Sequence, residues 1–175
     1  MDLIGKPIEI KNKVDIIEDG YKIKSKGTYN LEEFYVEIKN WFEHMGYIWY
    51  ELEYKQVINR DNSKNLEILW EAVKKIDEYV TFKIKLNMNI TGINDAEVKL
   101  DTGATVKRQK CTIELKSGAW IEKDLKMFDK MFIGKYLPQL YEILIRDRLK
   151  DQKETLYLEA HKLYDELKAF MMIYR

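Results

Sequence analysis

The stretch Phe82-Lys83-Ile84-Lys85-Leu86-Asn87-Met88-Asn89-Ile90 alternates apolar and polar residues without a break. Successive side chains of a strand point to opposite faces, so this pattern makes a strand with one buried and one wet face. Its neighbours read the same way. Leu66, Ile68, Trp70 and Ala72 alternate with Glu67 and Glu71 before a turn around Asp77-Glu78. Keeping both apolar faces inward sets Glu71 opposite Lys83 or Lys85, a pair that helps to fix register. Ile48, Tyr50, Leu52 and Tyr54 form a further even-numbered face against Trp49, Glu51, Glu53 and Lys55, ended by the turn residues Arg60-Asp61-Asn62-Ser63. After Gly92-Ile93-Asn94-Asp95 a shorter strand places Ala96, Val98 and Leu100 inward. The chain then extends through Cys111, Ile113 and Leu115 and ends at Ser117-Gly118.

The flanks add helices and a hairpin. Ile8, Ile10, Val14 and Ile16 alternate with charged residues, Asp19-Gly20 is a strong hairpin signal, and Tyr21, Ile23 and Ser25 alternate with lysines. Two N-terminal strands are therefore expected. Leu31, Phe34, Tyr35, Ile38, Trp41, Phe42 and Met45 recur at helical spacing, with Asn30 and Glu33 as a capping box and Gly46 beyond the end, which predicts a helix over 31–45. Its aromatic face is wide enough that it must lie on the sheet. Helical spacing resumes near Asp124, is interrupted by Gly134 and Pro138, and then runs to the end without Gly or Pro. That run is either one helix of about 37 residues, which would span roughly 55 Å and project, or two helices with a bend within 146–155. Leu156, Ala160, Leu163, Leu167, Phe170 and Tyr174 form a short apolar seam, suited to packing on the chain's own sheet or to self-association over 156–174. The division expected is an α+β domain over 1–150 and a C-terminal helical extension over 151–175 that packs on the same domain or stands apart from it.

The chain has 175 residues, 46% hydrophobic and 34% charged, which fits one folded domain rather than a disordered or fibrous chain. Thirty basic side chains balance thirty acidic ones, which removes the bulk electrostatic case for nucleic acid. The densest basic run, Lys107-Arg108-Gln109-Lys110, sits in a strand, where its charges alternate between faces. Cys111 alone allows neither an internal disulfide nor a cysteine-based zinc site, and His44 and His161 are too few for a histidine site. No phosphate-binding glycine loop or nucleophile elbow occurs, so no cofactor is expected. The sequence shows no 18-residue apolar run and no signal peptide, and a cytoplasmic location is the expectation.

Asp101-Thr102-Gly103-Ala104 resembles the active-site tetrad of aspartic proteases, in which the aspartate shares a proton with a second one to activate water. Phe132-Ile133-Gly134-Lys135 is similar to the supporting segment of the retroviral-type members. The resemblance implies Asp101 as the catalytic residue, paired across a dimer. Lys99 replaces the usual apolar residue two positions earlier, and 30 residues between Ala104 and Lys135 are too few for the intervening strands of that fold. The simpler reading is a tight turn with Gly103 supplying positive φ.

Taken together the elements form an α+β fold: a largely antiparallel sheet packed on one N-terminal helix and a long C-terminal helical region. This order resembles the helix-grip arrangement of the START-like and polyketide-cyclase superfamily, which implies a curved sheet around a C-terminal helix and an apolar cavity between them. Two features depart from it: two strands precede the first helix, and the last helix runs about five turns beyond the sheet. The expected function is a non-catalytic binding protein holding an apolar small molecule or partner between sheet and helix. Trp41, Tyr50, Tyr54, Trp70 and Phe82 line the site, and Tyr50 and Tyr54 orient the polar end of the cargo. The alternatives are an assembly protein that oligomerises through its C-terminal helix and a hydrolase using Asp101.

Overall fold

In a computed structural model, residues 10–99, 105–128 and 137–173 are described. Five strands form one sheet: β1 (Lys13–Tyr29), β2 (Ile48–Ile58), β3 (Lys64–Lys75), β4 (Val80–Lys99) and β5 (Thr105–Lys123). Their order across the sheet is β1-β5-β4-β3-β2, and every neighbouring pair is antiparallel. Helix α1 (Leu31–His44) follows β1. A short 3-10 turn (Leu125–Phe128), α2 (Leu137–Leu144) and α3 (Arg146–Ile173) follow β5. The helices cover one face of the sheet, hereafter the inner face, and the fold is α+β as the sequence pattern requires.

The core forms where the alternation places it. Phe82, Ile84, Leu86, Met88 and Ile90 of β4 are buried beside Ile113, Leu115 and Ile121 of β5 and Ile68, Trp70 and Ala72 of β3. The outer face carries the polar partners. Glu71 lies directly across from Lys85, and Lys83 reaches both Glu71 at 3.4 Å and Glu122. Helix α1 begins where Asn30 accepts a hydrogen bond from the Glu33 amide at 3.3 Å, and it ends ahead of Gly46, whose φ is +78°. Its buried side, Phe34, Ile38 and Phe42, completes the core against β2 and β3.

Several expected boundaries give way to longer strands. Asp19-Gly20 does not turn the chain back. One strand, β1, runs through it, with register shifts between Asp15 and Tyr21 and with Gly20 at a φ of +68°. The segments read as separate strands around 82–90 and 96–100 are one strand, β4, carrying an irregularity between Thr91 and Asn94, where Gly92 has positive φ. β5 continues through Ser117-Gly118 to Lys123, and the helical spacing read from Asp124 onward begins as a 3-10 turn over Leu125–Phe128. At Gly20 and Gly92 an irregularity absorbs the turn-forming residue while pairing resumes on both sides, and at Ser117-Gly118 the register with β4 runs through unbroken.

The C-terminal run divides at Ile145, a residue ahead of the expected 146–155 stretch, into α2 and a 28-residue α3. α3 packs against β1 and β5, and Leu156, Ala160, Leu163, Leu167 and Met171 are all buried there. The apolar seam is therefore covered by the chain's own sheet. The Asp101 tetrad and the Phe132-Ile133-Gly134-Lys135 segment lie outside the described residues.

Candidate functional site

β2 contains the feature that decides which side chains meet α1. Its register against β3 runs Glu51 to Trp70 and then Glu53 to Leu69, so Leu52 is an extra residue. An extra residue exchanges inside and outside for everything beyond it. Before the bulge, Trp49 and Glu51 face α1. After it, Tyr54, which pairs with buried Ile68, takes that face. Tyr50 and Tyr54 share sequence parity but not a face. Tyr50 lies on the helix-free side beside Glu71 and is 52% exposed. The inward placement expected for it is corrected on this point.

Where Tyr54 meets α1 there is an open groove of about 330 Å3. Leu31, Phe34, Tyr35 and Val36 of α1 form one wall. Leu66, Ile68, Met88 and Ile90 form the sheet side, and Tyr54 stands at the β2 edge. Beyond the groove, the Trp70 indole lies 4.5 Å from the Trp49 ring and 4.7 Å from Tyr35, edge to face in the second case. Glu51 ties these rings together: it accepts from the Tyr35 hydroxyl at 2.7 Å and from Trp70 Nε1 at 3.1 Å. Trp70 and Phe82, also expected to line a site, are packed in the core at 0% and 1% exposure. Trp41 belongs to a second groove of about 560 Å3 between α1 and α3, with Ile38, Leu163, Leu167 and Phe170 as its floor and the exposed Glu37, His44 and Glu166 around it. Phe34 separates the two grooves, its ring 4.8 Å from that of Phe170.

Two buried ionic clusters fasten the C-terminal helices to the end of the sheet, and neither is suggested by periodicity. In each, a tyrosine just ahead of a strand and a lysine at the inner end of another strand converge on a glutamate from a helix. Tyr47 donates to Glu159 of α3 at 2.6 Å, and Lys74 reaches the other oxygen of that carboxylate at 2.7 Å. Tyr79 donates to Glu142 of α2 at 2.7 Å, and Lys123 pairs with the same oxygen. Charged side chains are almost never buried unless paired, which is the condition met here. Asp77 adds a further tie. Burial alone would raise its pKa, but the amides of Tyr79 and Val80, the Gln152 amide and the Arg148 guanidinium together hold it below the ordinary carboxylate value.

Burial and a neighbouring carboxylate raise Tyr35 to about 12 and push Tyr47 and Tyr79 further up. Burial alone raises Cys111 to about 11, so its thiol stays protonated at neutral pH and packs as a small apolar side chain. The sign of the tyrosine effect is definite. A phenol that holds its proton more tightly when folded contributes stability that is whole below its ordinary value of 10.0. That contribution is lost as pH rises through the folded value. Urea unfolding should therefore show stability falling as pH climbs past about 10, and a Tyr47→Phe, Tyr79→Phe double variant should flatten that fall. Equal slopes for the two proteins would refute this.

The chain matches no protein-family model, no curated protein and no solved structure. None of the described helices is long and apolar enough to cross a membrane. The groove therefore has to be interpreted from its own chemistry.

Proposed function

We propose that this chain is a non-catalytic binding protein that holds a compact apolar small molecule in the groove between α1 and the sheet. The observation that carries this is the lining: α1 and three strands present mostly apolar side chains to an open space, with Glu32 the one charged residue and Tyr54 at the β2 edge. Small-molecule sites occupy about 300–1,000 Å3, and this groove lies at the lower end of that range. Hydrophobic enclosure would supply the affinity and Tyr54 alone would orient a polar end, since Tyr50 faces away. The helix-grip resemblance supports the same reading. Among the described residues a single strand precedes α1, and the seam of α3 lies on the sheet, an arrangement nearer to the helix-grip order than the one expected from the sequence.

The test is a titration with N-phenyl-1-naphthylamine, a neutral fluorophore that brightens in apolar surroundings. Val36 is 43% exposed on the groove wall, so Val36→Trp fills the groove without disturbing the core. Affinity should drop about tenfold or more, equivalent to about 1.4 kcal/mol. Trp41→Ala, which alters only the α1–α3 groove, should leave it unchanged. Loss on Trp41→Ala alone would move the cargo to the second groove. Binding indifferent to both changes, or absent in the parent protein, would end the proposal.

A further inference from the structure

Among the described residues the sheet has two open edges, and they differ in how they are defended. β1 carries Lys22, Lys24 and Lys26 at alternate exposed positions, and its pairing is broken by register shifts near Gly20. Lysines and bulges are the usual means of keeping an edge from pairing with another chain. β2, at the opposite edge, has 11 residues, no proline, one lysine, two glutamates and a single bulge at Leu52. Among the described residues 15 large apolar side chains are exposed, and six of them, Ile48, Tyr50, Leu52, Tyr54, Val57 and Ile58, lie on this strand. The free edge and the exposed apolar side chains coincide.

We infer that β2 is a self-association edge, at which two copies of this chain pair antiparallel about a two-fold axis and continue one sheet into the other. The sequence of the strand favours a second copy because it is complementary to itself. With Tyr54 on the axis, each Glu53 faces Lys55 of the second copy, giving two opposite-charge pairs on the helix-free face. One step past the Leu52 bulge, each Tyr50 faces Val57 of the second copy on that same face. An antiparallel pair matches residues in this reciprocal way, and C2 is the commonest symmetry of homo-oligomers. Lys55 lies 3.3 Å from Glu67 of its own chain, but both side chains are more than half exposed, so this surface pair leaves Lys55 free to share its charge. The inference accounts for Tyr50, which contacts neither groove, and it does not depend on any cargo.

The mass of the intact protein by sedimentation equilibrium tests it. The parent chain should form a dimer at concentrations on the order of 100 μM or below. Glu53→Lys and Lys55→Glu each turn two attractions into two repulsions, and each should weaken the dimer about tenfold or more. Both residues are exposed, so an unchanged circular dichroism spectrum serves as the folding control. Mixing the two variants restores every Glu–Lys pair, so heterodimers should form where neither variant pairs with itself. A monomeric parent chain would overturn the inference. So would a dimer indifferent to both changes, or one lost only on Leu144→Glu, which would place the contact on α2.

Discussion

Replacing Glu142 by alanine is expected to cost about 3–5 kcal/mol of unfolding free energy, the usual penalty for stranding a buried charge. The side chain of Lys123 is only 6% exposed and sits at the inner end of β5, pointing into the packed side of the sheet. Without the carboxylate, that ammonium and the Tyr79 hydroxyl lose the acceptor they share. The equivalent loss at Glu159 should be smaller. Lys74 is 25% exposed and has a route to water, although Tyr47 would still be left without its acceptor. Glu142 also matters for architecture. α2 fully buries none of its residues, so this cluster and the packing of Tyr141 on Tyr79 and Phe128 hold it in place. A domain of ordinary stability has about 5–15 kcal/mol in total, so the variant should unfold at far lower urea. Changing all three partners together, Lys123→Met, Glu142→Leu and Tyr79→Phe, removes the desolvated charges instead of stranding one and should recover most of the loss. If Glu142→Ala costs less than about 1 kcal/mol, water reaches Lys123 and the cluster is not a dry one.

That cluster also marks the limit of what local sequence can disclose. The alternation at 82–90, the cap at Asn30, the Asp77 turn and the Glu71–Lys85 pairing all depend on residues a few positions apart, or on one register choice, and each appears in the structure. The Lys123–Glu142 and Lys74–Glu159 contacts depend on helices returning to the end of the sheet, and no period encodes that return. Bulges are the second kind of omission. Counting by twos along β2 puts Tyr50 and Tyr54 together. The extra residue Leu52, chemically unremarked in the sequence, sends them to opposite faces. Gly20 shows the reverse case: Asp19-Gly20 is a sound local turn signal, but pairing with β5 that resumes at Tyr21 beyond the register shifts outweighs it. The groove was legible as an apolar helix facing an apolar sheet. Which tyrosine reaches it was settled by one inserted residue.

Trp70 shows how far the packing around that groove relies on a single side chain, and Trp70→Ala is expected to cost about 3–5 kcal/mol. The indole is fully buried at the point where α1 crosses β2 and β3. It contacts Trp49, meets Tyr35 edge to face and lies 6.4 Å from the Phe42 ring, so truncation opens a cavity bordered by rigid rings that collapse poorly. Two losses can be separated. Trp70→Phe keeps most of the ring volume but removes the Nε1–H bond to Glu51, whose carboxylate retains the Tyr35 hydroxyl. Its cost should be on the order of 1 kcal/mol, because that carboxylate lies near water and is not stranded. The larger effect of alanine should be localised. Hydrogen exchange should quicken first in α1, whose inner side rests on Trp70, and less in α3, whose seam rests on β1 and β5. If the two substitutions cost the same, the hydrogen bond rather than the packing dominates. If α3 exchanges as readily as α1, the two helices form one cooperative unit, and the groove between α1 and the sheet could not open without disturbing the whole core.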